Sequence, residues 1–474
     1  MKKLQLKNLA LSLCAIGVLF TSCEKDEVNE LIDTNAVEAE TPPFENYLVI
    51  TGGNELNKSV ENFLKTSGGT IVNSIPEIGI TVVSSKDANF VQNTMKNSGV
   101  ISVVPDYEIA WVPSENEGVF TDDDVSTDAL TPSPGSTETA YIRLWGMEAI
   151  GAPKAWNAGY TGKGASVFVL DSGIDRENIE FSQNLNKDVS ASFVPNEPYW
   201  TRPGRFTNHG THVAGTIAAN KNNFGVIGVA YEAELVGIKV LREIAGSGAF
   251  SWINAGIVYA ANNGADVVNM SLGGTVNKNG GFVIDANGKR WNIPANDIQE
   301  LIMAQQRAVD YAFTKGTTII ASAGNDGVNY DGNKSFLKLP AGLNNVIAIS
   351  ATAPEGWNPF SNPDTNYDVP ASYTTHGRSL VDLAAPGGDG DVSQLDMIFS
   401  VASGVNAFNY NAGTSMAAPH VSGVAALIIA KNGGQMSPQE VAKKLYSTAD
   451  KVGGNGQSLF FGQGRVNAFR AVTE

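Results

Sequence analysis

Short apolar runs alternate with longer amphipathic stretches from about residue 140 to the end of the chain. The apolar runs contain no polar alternation, which is typical of strands buried on both faces of a sheet. They lie at Ala165–Leu170, Leu235–Val240, Val267–Met270, Thr317–Ala321 and Val346–Ile349. Helical patterns occupy segments between them, as at Trp252–Asn262 and Ile298–Thr314. This alternation predicts an α/β domain, residues 140–474, in which a parallel sheet lies between two layers of helices.

A shorter pattern precedes that domain over residues 44–112. Strand-like and helical segments alternate there in the order Tyr47–Ile50, Ser59–Leu64, Ile78–Val83, Asp87–Lys96 and Val100–Val104. This β-α-β-α-β order predicts a small α+β sandwich. Residues 113–139 join it to the larger domain. They are acidic and contain Pro, Ser and Thr but few large apolar groups, so we expect an exposed linker that is easily cut.

The first 22 residues have the layout of a secretory signal peptide. Lysines at positions 2, 3 and 7 precede the apolar run Leu9–Phe20, which is too short to span a membrane comfortably. The small residues before Cys23 resemble a lipoprotein signal-peptidase site, at which Cys23 would become the lipidated first residue. An ordinary signal peptide followed by a chance cysteine is the alternative. Residues 23–43 are expected to form a flexible tether.

The residues directly behind Cys23 extend this resemblance. Lys25 is followed by two acidic residues, as in the surface-export signal of lipoproteins in some Gram-negative bacteria. We therefore expect an exported protein with a lipid anchor in the outer membrane, at the cell surface. No other segment of the sequence is long and apolar enough to cross a membrane.

Composition narrows the function classes. The 474 residues are 42% hydrophobic and 17% charged, which is ordinary for a globular protein, and the formal net charge is −16. No basic patch stands out, so nucleic acid is not expected as a partner. Both cysteines, Cys14 and Cys23, precede the folded part. Its stability must therefore come from the core, with bound metal as a further possibility.

Three side chains suited to nucleophilic catalysis lie at strand ends or helix starts of the larger domain. Asp171 follows the first strand and can accept a hydrogen bond from an imidazole. His209 precedes a helix of small residues, and Ser415 opens the helix that runs through Ala417–Ala430. A serine hydroxyl needs a neighbouring base to act as a nucleophile. Asn325 follows another strand, where its amide could donate to an oxyanion together with the backbone N–H of Ser415.

These segments resemble the subtilisin-like serine proteases. The matching motifs are DSGID from Asp171, HGTHVAGT from His209, SAGN ending at Asn325, and GTSMAAPHVSG around Ser415. The resemblance covers roughly residues 140–474. It implies the family's three-layer fold, with Asp171 orienting His209, His209 acting as general base and acid, and Ser415 attacking the substrate. Asn325 would complete the oxyanion hole. His212 could pair with His209 as a metal site, but it is expected to be structural, because a zincin would need a His-Glu-x-x-His motif and the sequence has none.

The resemblance also implies how a peptide substrate would bind. Ser271, Leu272 and Gly273 would form the edge to which an extended peptide adds by main-chain hydrogen bonds. Gly273, Ala323 and Gly324 would line the pocket for the residue before the scissile bond. The segment 276–294 is longer than a minimal member of the family needs, and its sequence predicts a hairpin with its turn at residues 286–289. We expect this hairpin near the cleft.

Residues 44–112 resemble the family's inhibitory prodomain, which has a ferredoxin-like fold. Its last strand would lie in the cleft as a product-like inhibitor, and it would assist the folding of a slow parallel sheet. An unrelated binding module is the alternative. Self-cleavage is then expected between Trp111 and Ala140, and not directly after Val112, because Pro113 follows.

A structural calcium site is a further implication of the resemblance. The loop that follows the His209 helix matches the family's calcium loop without insertion. The ligands carried over are the carbonyls of Asn220, Phe224 and Val226 and the side chains of Asn222 and Glu180. Oxygen ligands of this kind suit Ca²⁺. Glu180 departs from the usual Asp, and an asparagine-rich surface turn is the alternative.

The expected function is a serine endopeptidase that is made as a self-inhibited precursor. It would act as a monomer on extended protein or peptide substrates, without a cofactor for catalysis. Two rival functions use the same residues, namely a peptide-binding protein that has lost its activity and an esterase. The complete set of catalytic side chains argues against the first rival, and the substrate edge at Ser271–Gly273 argues against the second.

Overall fold

The computed structural model describes residues 44–52, 58–112, 119–120, 137–202, 208–244, 246–284, 290–454 and 457–474. The signal peptide, Cys23, the tether, most of the linker and the hairpin turn at 286–289 lie outside the described residues. Within the described residues, no helix combines the length and the apolar character that crossing a membrane requires.

Residues 44–112 form a module of one four-stranded antiparallel sheet with two helices, which we call the N-terminal module. Its elements are β1 (Asn46–Thr51), α1 (Lys58–Thr66), β2 (Thr70–Ile75), β3 (Ile80–Ser84), α2 (Phe90–Thr94) and β4 (Val100–Pro105). The strand order across the sheet is β2-β3-β1-β4. The α+β class is as predicted, but the order is β-α-β-β-α-β, so the prediction of three strands is wrong by one.

The missed strand β2 lies at the edge of the sheet, where only one neighbour pairs with it. Most of its residues are exposed, including Val72 at 58%, and its apolar residues Ile71, Val72 and Ile75 do not alternate with polar ones. The next strand begins later than predicted, because Pro76–Ile78 forms a 3₁₀ turn that ends at Gly79, with a φ of 68°. A positive φ of this size favours glycine.

The module ends with the short strand β5 (Glu108–Ala110), and a second short strand, β6 (Val119–Phe120), precedes the larger domain. The helices of that domain are α3 (Trp145–Ala149), α4 (Ala152–Asn157), α5 (His209–Ala218), α6 (Phe250–Asn262), α7 (Ala295–Thr314), α8 (Thr414–Lys431), α9 (Pro438–Thr448) and α10 (Ala468–Thr473). Its strands are β7 (Ser166–Asp171), β8 (Ala191–Ser192), β9 (Glu234–Lys239), β10 (Ser247–Ala249), β11 (Val267–Met270), β12 (Gly274–Asn277), β13 (Gly281–Ile284), β14 (Arg290–Ile293), β15 (Thr318–Ser322), β16 (Phe336–Leu339), β17 (Val346–Ala353), β18 (Val369–Pro370), β19 (Leu383–Pro386), β20 (Ile398–Val401) and β21 (Phe408–Asn411).

The main sheet has the order β18-β17-β15-β11-β7-β9-β8, and β19 also pairs with β17. All of these pairs are parallel except β17 with β18. Alternate residues of β7 enter opposite cores: Val167 and Val169 join the cluster with α5 and α8, while Phe168 and Leu170 join the cluster with α6 and α7. The predicted three-layer α/β fold is therefore confirmed.

The N-terminal module contacts the helical face formed by α6 and α7. Strand β4 packs on α7, and Arg307 of α7 donates to the carbonyls of Thr51 and Ile78, both at 3.3 Å. Strand β5 pairs antiparallel with β10 of the larger domain. The described parts of both belong to one compact unit, Pro42–Glu474.

The predicted insertion forms a hairpin. Strands β13 and β14 pair antiparallel, from Gly281 with Ile293 to Ile284 with Arg290. Strand β13 also contacts β5, which places the hairpin beside the strand that leaves the N-terminal module.

Candidate active site

Asp171 and His209 lie together at the carboxyl edge of the main sheet. Asp171 is the last residue of β7 and His209 is the first residue of α5. Both are buried, and Nδ1 of His209 lies 2.9 Å from Oδ2 and 3.0 Å from Oδ1 of Asp171. A methyl group at Gly210 would lie 2.3 Å from the carbonyl oxygen of Gly173 and 3.1 Å from Oδ1 of Asp171. Glycine at this position therefore lets α5 begin close enough for the imidazole to reach the carboxylate.

Ser415 lies in the first turn of α8, beside the end of the neighbouring strand β11. Its hydroxyl donates to the carbonyl of Ser271 at 3.2 Å, and the hydroxyl of Ser271 donates to the carbonyl of Ser415 at 2.7 Å. Asn269 donates to the Ser271 hydroxyl at 3.0 Å and accepts from Ser422 at 2.8 Å. This buried polar chain holds the start of α8 against the end of β11.

Helices α5 and α8 pack against each other on one face of the sheet. Their first turns lie beside the ends of β7 and β11, which are adjacent parallel strands. The structure thus brings His209 and Ser415 to the same edge, where the helix dipoles favour developing negative charge.

Two hydrogen-bond donors converge beside Ser415. Oδ1 of Asn325 accepts from the backbone N–H of Thr414 at 3.0 Å and from its hydroxyl at 2.7 Å. These bonds fix which way the amide faces. A methyl group at Gly413 would lie 3.1 Å from Nδ2 of Asn325 and 3.6 Å from the amide nitrogen of Ser415. The space that Gly413 leaves open is therefore flanked by both donors, as an oxyanion hole requires.

The predicted substrate edge is in contact with the chain's own N-terminal part. Gly273 donates its backbone N–H to the carbonyl of Trp111 at 2.9 Å. The indole of Trp111 is buried, packs edge to face on Phe250 with ring centroids 5.1 Å apart, and donates to the carbonyl of Gly248 at 2.9 Å. The segment after β5 thus lies along the edge at which an extended peptide would bind.

The other three histidines have different surroundings. Nε2 of His212 lies 3.1 Å from the carbonyl oxygen of Ile398, and burial lowers the pKa of His212 to about 3. Nδ1 of His420 lies 2.8 Å from the carbonyl oxygen of Met416, and burial lowers its pKa to about 4. His376 packs on Phe460 with ring centroids 4.3 Å apart. The geometry of His212 fits the structural role expected of it, and the surroundings of His376 and His420 also indicate structural roles.

The predicted calcium ligands also lie together. The buried carboxylate of Glu180 accepts from Nδ2 of Asn222 at 3.2 Å and from the N–H of Val226 at 3.3 Å, while Asn220 donates its N–H to the carbonyl of Glu180 at 2.8 Å. Burial raises the pKa of Glu180 to about 8. Phe224 lies in the same loop. A methyl group at Gly225 would lie 2.0 Å from Oε1 of Glu180, so the loop closes tightly on this carboxylate.

Glu138 is a further carboxylate at this loop that sequence reasoning missed. It is buried and accepts from the N–H of Phe224 at 2.8 Å, and burial raises its pKa. Its neighbours also join the loop: Thr139 accepts from the N–H of Gly225 at 2.9 Å, and Ala140 donates to the carbonyl of Gly225 at 2.7 Å. Because Glu138 lies at the end of an acidic linker, its sequence context does not distinguish it from the other acidic residues there.

The fold and this candidate site together indicate a class of enzyme, the serine hydrolases. The sequence model of the Subtilase family matches residues 162–464. Subtilisin E from Bacillus subtilis (strain 168) is 37% identical over 335 residues, which are 71% of this chain and 72% of that protein. Thermitase from Thermoactinomyces vulgaris is 33% identical over 332 residues, which are 70% of this chain and 96% of that protein. The chain belongs to the Subtilase family and is a serine-type endopeptidase.

Solved structures show the same fold. The epidermin leader peptide processing serine protease from Staphylococcus aureus matches 90% of this chain and 97% of its own, with a TM-score of 0.68 at 21% identity. Fervidolysin from Fervidobacterium pennivorans matches 92% of this chain and 62% of its own, with a TM-score of 0.66 at 23% identity. Each match covers a larger share of this chain than residues 140–474 make up. The likeness in fold therefore extends into the N-terminal module.

Gly413→Ala tests the space beside Asn325 and Ser415. We expect kcat to fall about ten- to a hundredfold, because the methyl group pushes against the Asn325 amide and displaces a donor that is predicted to face the transition state. The backbone at Gly413 is extended, with a φ of 160°, so alanine fits the fold and Tm should not change. Peptide hydrolysis and thermal unfolding measure the two effects. An unchanged kcat would show that the oxyanion binds elsewhere.

Proposed function

We propose that Ser415, His209 and Asp171 form the catalytic triad of this endopeptidase, with Asn325 and the N–H of Ser415 as the oxyanion hole. The observation that carries the proposal is the buried hydrogen bond of His209 to Asp171 at the sheet edge that also holds Ser415. A carboxylate on Nδ1 fixes the imidazole tautomer, which leaves Nε2 to take a proton.

The reaction follows from these positions. Oγ of Ser415 attacks the substrate carbonyl carbon while its proton passes to Nε2 of His209. The carbonyl oxygen becomes an oxyanion that accepts hydrogen bonds from Nδ2 of Asn325 and the N–H of Ser415. His209 then gives the proton to the leaving amine as the peptide C–N bond breaks and an acyl-enzyme remains. Water, deprotonated by the same imidazole, releases the acyl group and restores Ser415.

The substrate would bind as an added strand along Ser271, Leu272 and Gly273, with its side chain before the scissile bond between Gly273 and Ala323–Gly324. The contact from Gly273 to the carbonyl of Trp111 supports this, because it is a main-chain bond of the kind that an extended peptide makes. Such recognition favours proteins and peptides over small esters.

We further propose that the chain is a self-inhibited precursor, with residues 44–112 as prodomain, 113–139 as linker and 140–474 as the mature enzyme. Contacts between residues 106–110 and the larger domain support this proposal. Strand β5 pairs with β10, Glu108 pairs with Arg242 at 2.7 Å, and Asp106 accepts from the N–H of Ser251 at 3.1 Å at the start of α6. A substrate cannot occupy the edge at Gly273 while Trp111 does.

The activating cut would fall within residues 113–136. Before this stretch, Trp111 is bonded to the substrate edge at Gly273 and Val112 to the carbonyl of Gly246. After it, Glu138 and Thr139 are bonded to the proposed calcium loop. After the cut, the new N-terminus would remain tied to that loop.

Export and anchoring are proposed on the sequence alone. Residues 1–22 would be removed as a lipoprotein signal peptide, Cys23 would carry the lipid, and residues 23–43 would tether the enzyme to the outer membrane at the cell surface. In this arrangement the prodomain covers the active site until the chain has left the cell.

Calcium is proposed as a structural ligand. Glu180, the side chain of Asn222 and the carbonyls of Asn220, Phe224 and Val226 would hold it, with Glu138 beside them. Burial raises the pKa of both Glu138 and Glu180, because it disfavours their negative charge. A bound cation would offset that charge, which supports the proposal. Within the described residues, no group of three or more His, Cys, Asp and Glu side chains is placed to hold a metal. Calcium accepts carbonyl and amide oxygens instead.

The full chain and its Ser415→Ala variant, purified side by side, test the catalytic and precursor proposals. We expect the wild type to lose residues 44–112 and to cleave casein. The variant should retain the prodomain and leave casein intact, because it lacks the nucleophile. Mass spectrometry of both chains and casein hydrolysis are the measurements. Adding a trace of mature wild type to the variant checks that the linker remains cleavable.

The two proposals fail separately in this experiment. Equal loss of the prodomain from both chains would overturn self-processing. Absence of casein cleavage by a processed wild type would overturn the catalytic assignment.

A chelator tests the calcium proposal through thermal unfolding. We expect EGTA to lower Tm of the wild type, since a ligand at a hundred times its Kd stabilises by about 2.7 kcal/mol, which moves Tm by about 4 °C in a domain of this size. Glu180→Gln should remove this dependence. Glu177→Gln is the matched control, because Glu177 lies on the same segment with an exposed side chain. A wild-type Tm that does not respond to EGTA would remove the site.

A further inference from the structure

A lysine side chain lies between the two backbone segments that flank Ser415. Ser271–Gly273 follows β11 and Ala323–Asn325 follows the adjacent parallel strand β15. A methyl group at Gly324 would lie 2.1 Å from Cε and 2.4 Å from Nζ of Lys338, and one at Gly273 would lie 3.7 Å from the same Cε. The slot between these segments therefore ends on the ammonium group of Lys338.

Both segments also touch the catalytic helix, which places the slot beside the reacting bond. Ser271 accepts from the Ser415 hydroxyl at 3.2 Å, and the N–H of Gly324 donates to the hydroxyl of Thr414 at 3.1 Å. A substrate side chain that enters the slot next to the attacked carbonyl would meet Nζ of Lys338.

The lysine is buried and is paired with a partly exposed carboxylate. Lys338 belongs to β16, opposite Thr275 of β12, and its Nζ donates to the Thr275 hydroxyl at 3.2 Å. Its carboxylate partner is Asp326, with Nζ to Oδ2 at 2.5 Å. The side chain of Lys338 is 4% exposed and that of Asp326 is 45% exposed.

The difference in exposure between Lys338 and Asp326 decides which of the two groups a substrate side chain can replace. A buried ammonium needs a counter-charge, because desolvation disfavours it when unpaired. The carboxylate of Asp326 can be solvated if it turns toward water, at the cost of the hydrogen bond that it accepts from the Thr275 hydroxyl at 3.1 Å, whereas Lys338 is buried. A carboxylate that enters the slot can take the place of Asp326, while an apolar side chain would have to pack against a charged group.

We propose that Lys338 determines the specificity of this enzyme and selects substrates with Glu or Asp before the scissile bond. The inference rests on the proposed function, since it takes Ser415 as the nucleophile and Gly273 and Gly324 as walls of the substrate pocket. The chain's own cleavable segment agrees with it. Residues 113–136 contain six acidic residues and no Lys or Arg, so self-cleavage after an acidic residue is available there.

A peptide series tests the proposal on the mature enzyme. Internally quenched peptides would differ only in the residue before the scissile bond, which would be Glu, Gln, Leu, Phe or Lys, with the cut position confirmed by mass spectrometry. We expect kcat/KM to be about tenfold or more higher for Glu than for its isostere Gln, because a single desolvated charge pair has this effect or more. The Lys peptide should be the poorest substrate.

Two variants isolate the role of the charge. Asp326→Asn removes the competing carboxylate and should raise the Glu-to-Gln ratio severalfold. Lys338→Met removes the cation and keeps a side chain of similar length, so the ratio should fall below one and Leu should become a better substrate. If Lys338→Met does not fold, Asp326→Asn still tests the proposal, because a substitution at a partly exposed side chain disturbs the fold less.

The outcomes distinguish this inference from the proposed function. A Glu-to-Gln ratio near one in the wild type, or one that neither variant changes, would overturn the role of Lys338 while the peptidase remains established. Failure of every peptide to be cut would instead count against the catalytic assignment.

Discussion

The burial of α8 against the main sheet is the constraint on which the active site depends. Every residue from Thr414 to Ile429 is buried, and small side chains let the helix approach closely: a methyl group at Gly423 would lie 2.5 Å from Cβ of Val229. The hydrogen-bonded chain of Ser422, Asn269 and Ser271 ties the helix to β11. Because a fully satisfied buried network specifies one arrangement, the position of Ser415 is set by the core and not by a loop.

The N-terminal module is connected to the cleft through the packing of the core. Ile109 and Trp111 belong to the apolar cluster that also contains Phe250 of α6 and Leu301 of α7. The contacts that would inhibit the enzyme are thus continuous with those that pack one face of its sheet. A parallel sheet joins strands that are distant in sequence, which makes folding slow. A module that completes one face of this core is physically suited to assist folding as well as to cover the site.

Much of this structure could be predicted because it is encoded locally. The buried strands are uninterrupted apolar runs, and Asp171, His209, Asn325 and Ser415 each follow a strand or open a helix within a short motif. Strand β2 escaped prediction because an exposed edge strand needs no apolar face.

Glu138 and Lys338 could not be assigned roles for a different reason. Each acquires its surroundings from a segment far along the chain, Glu138 from the loop at Phe224 and Lys338 from the pairing of β16 with β12. Their neighbouring residues in sequence carry no sign of these contacts. Specificity is accordingly the least predictable property of this enzyme, since it depends on which side chain a distant strand places in the slot.

The central claim is that Ser415 is a nucleophile activated by His209. The most direct measurement is to treat the mature enzyme with a fluorophosphonate and to locate the adduct by peptide mass spectrometry. The account predicts one adduct, on Ser415, which does not form on the His209→Ala variant even after mature wild type has cut its linker. An adduct on another residue, or none on an enzyme that still cleaves casein, would contradict it.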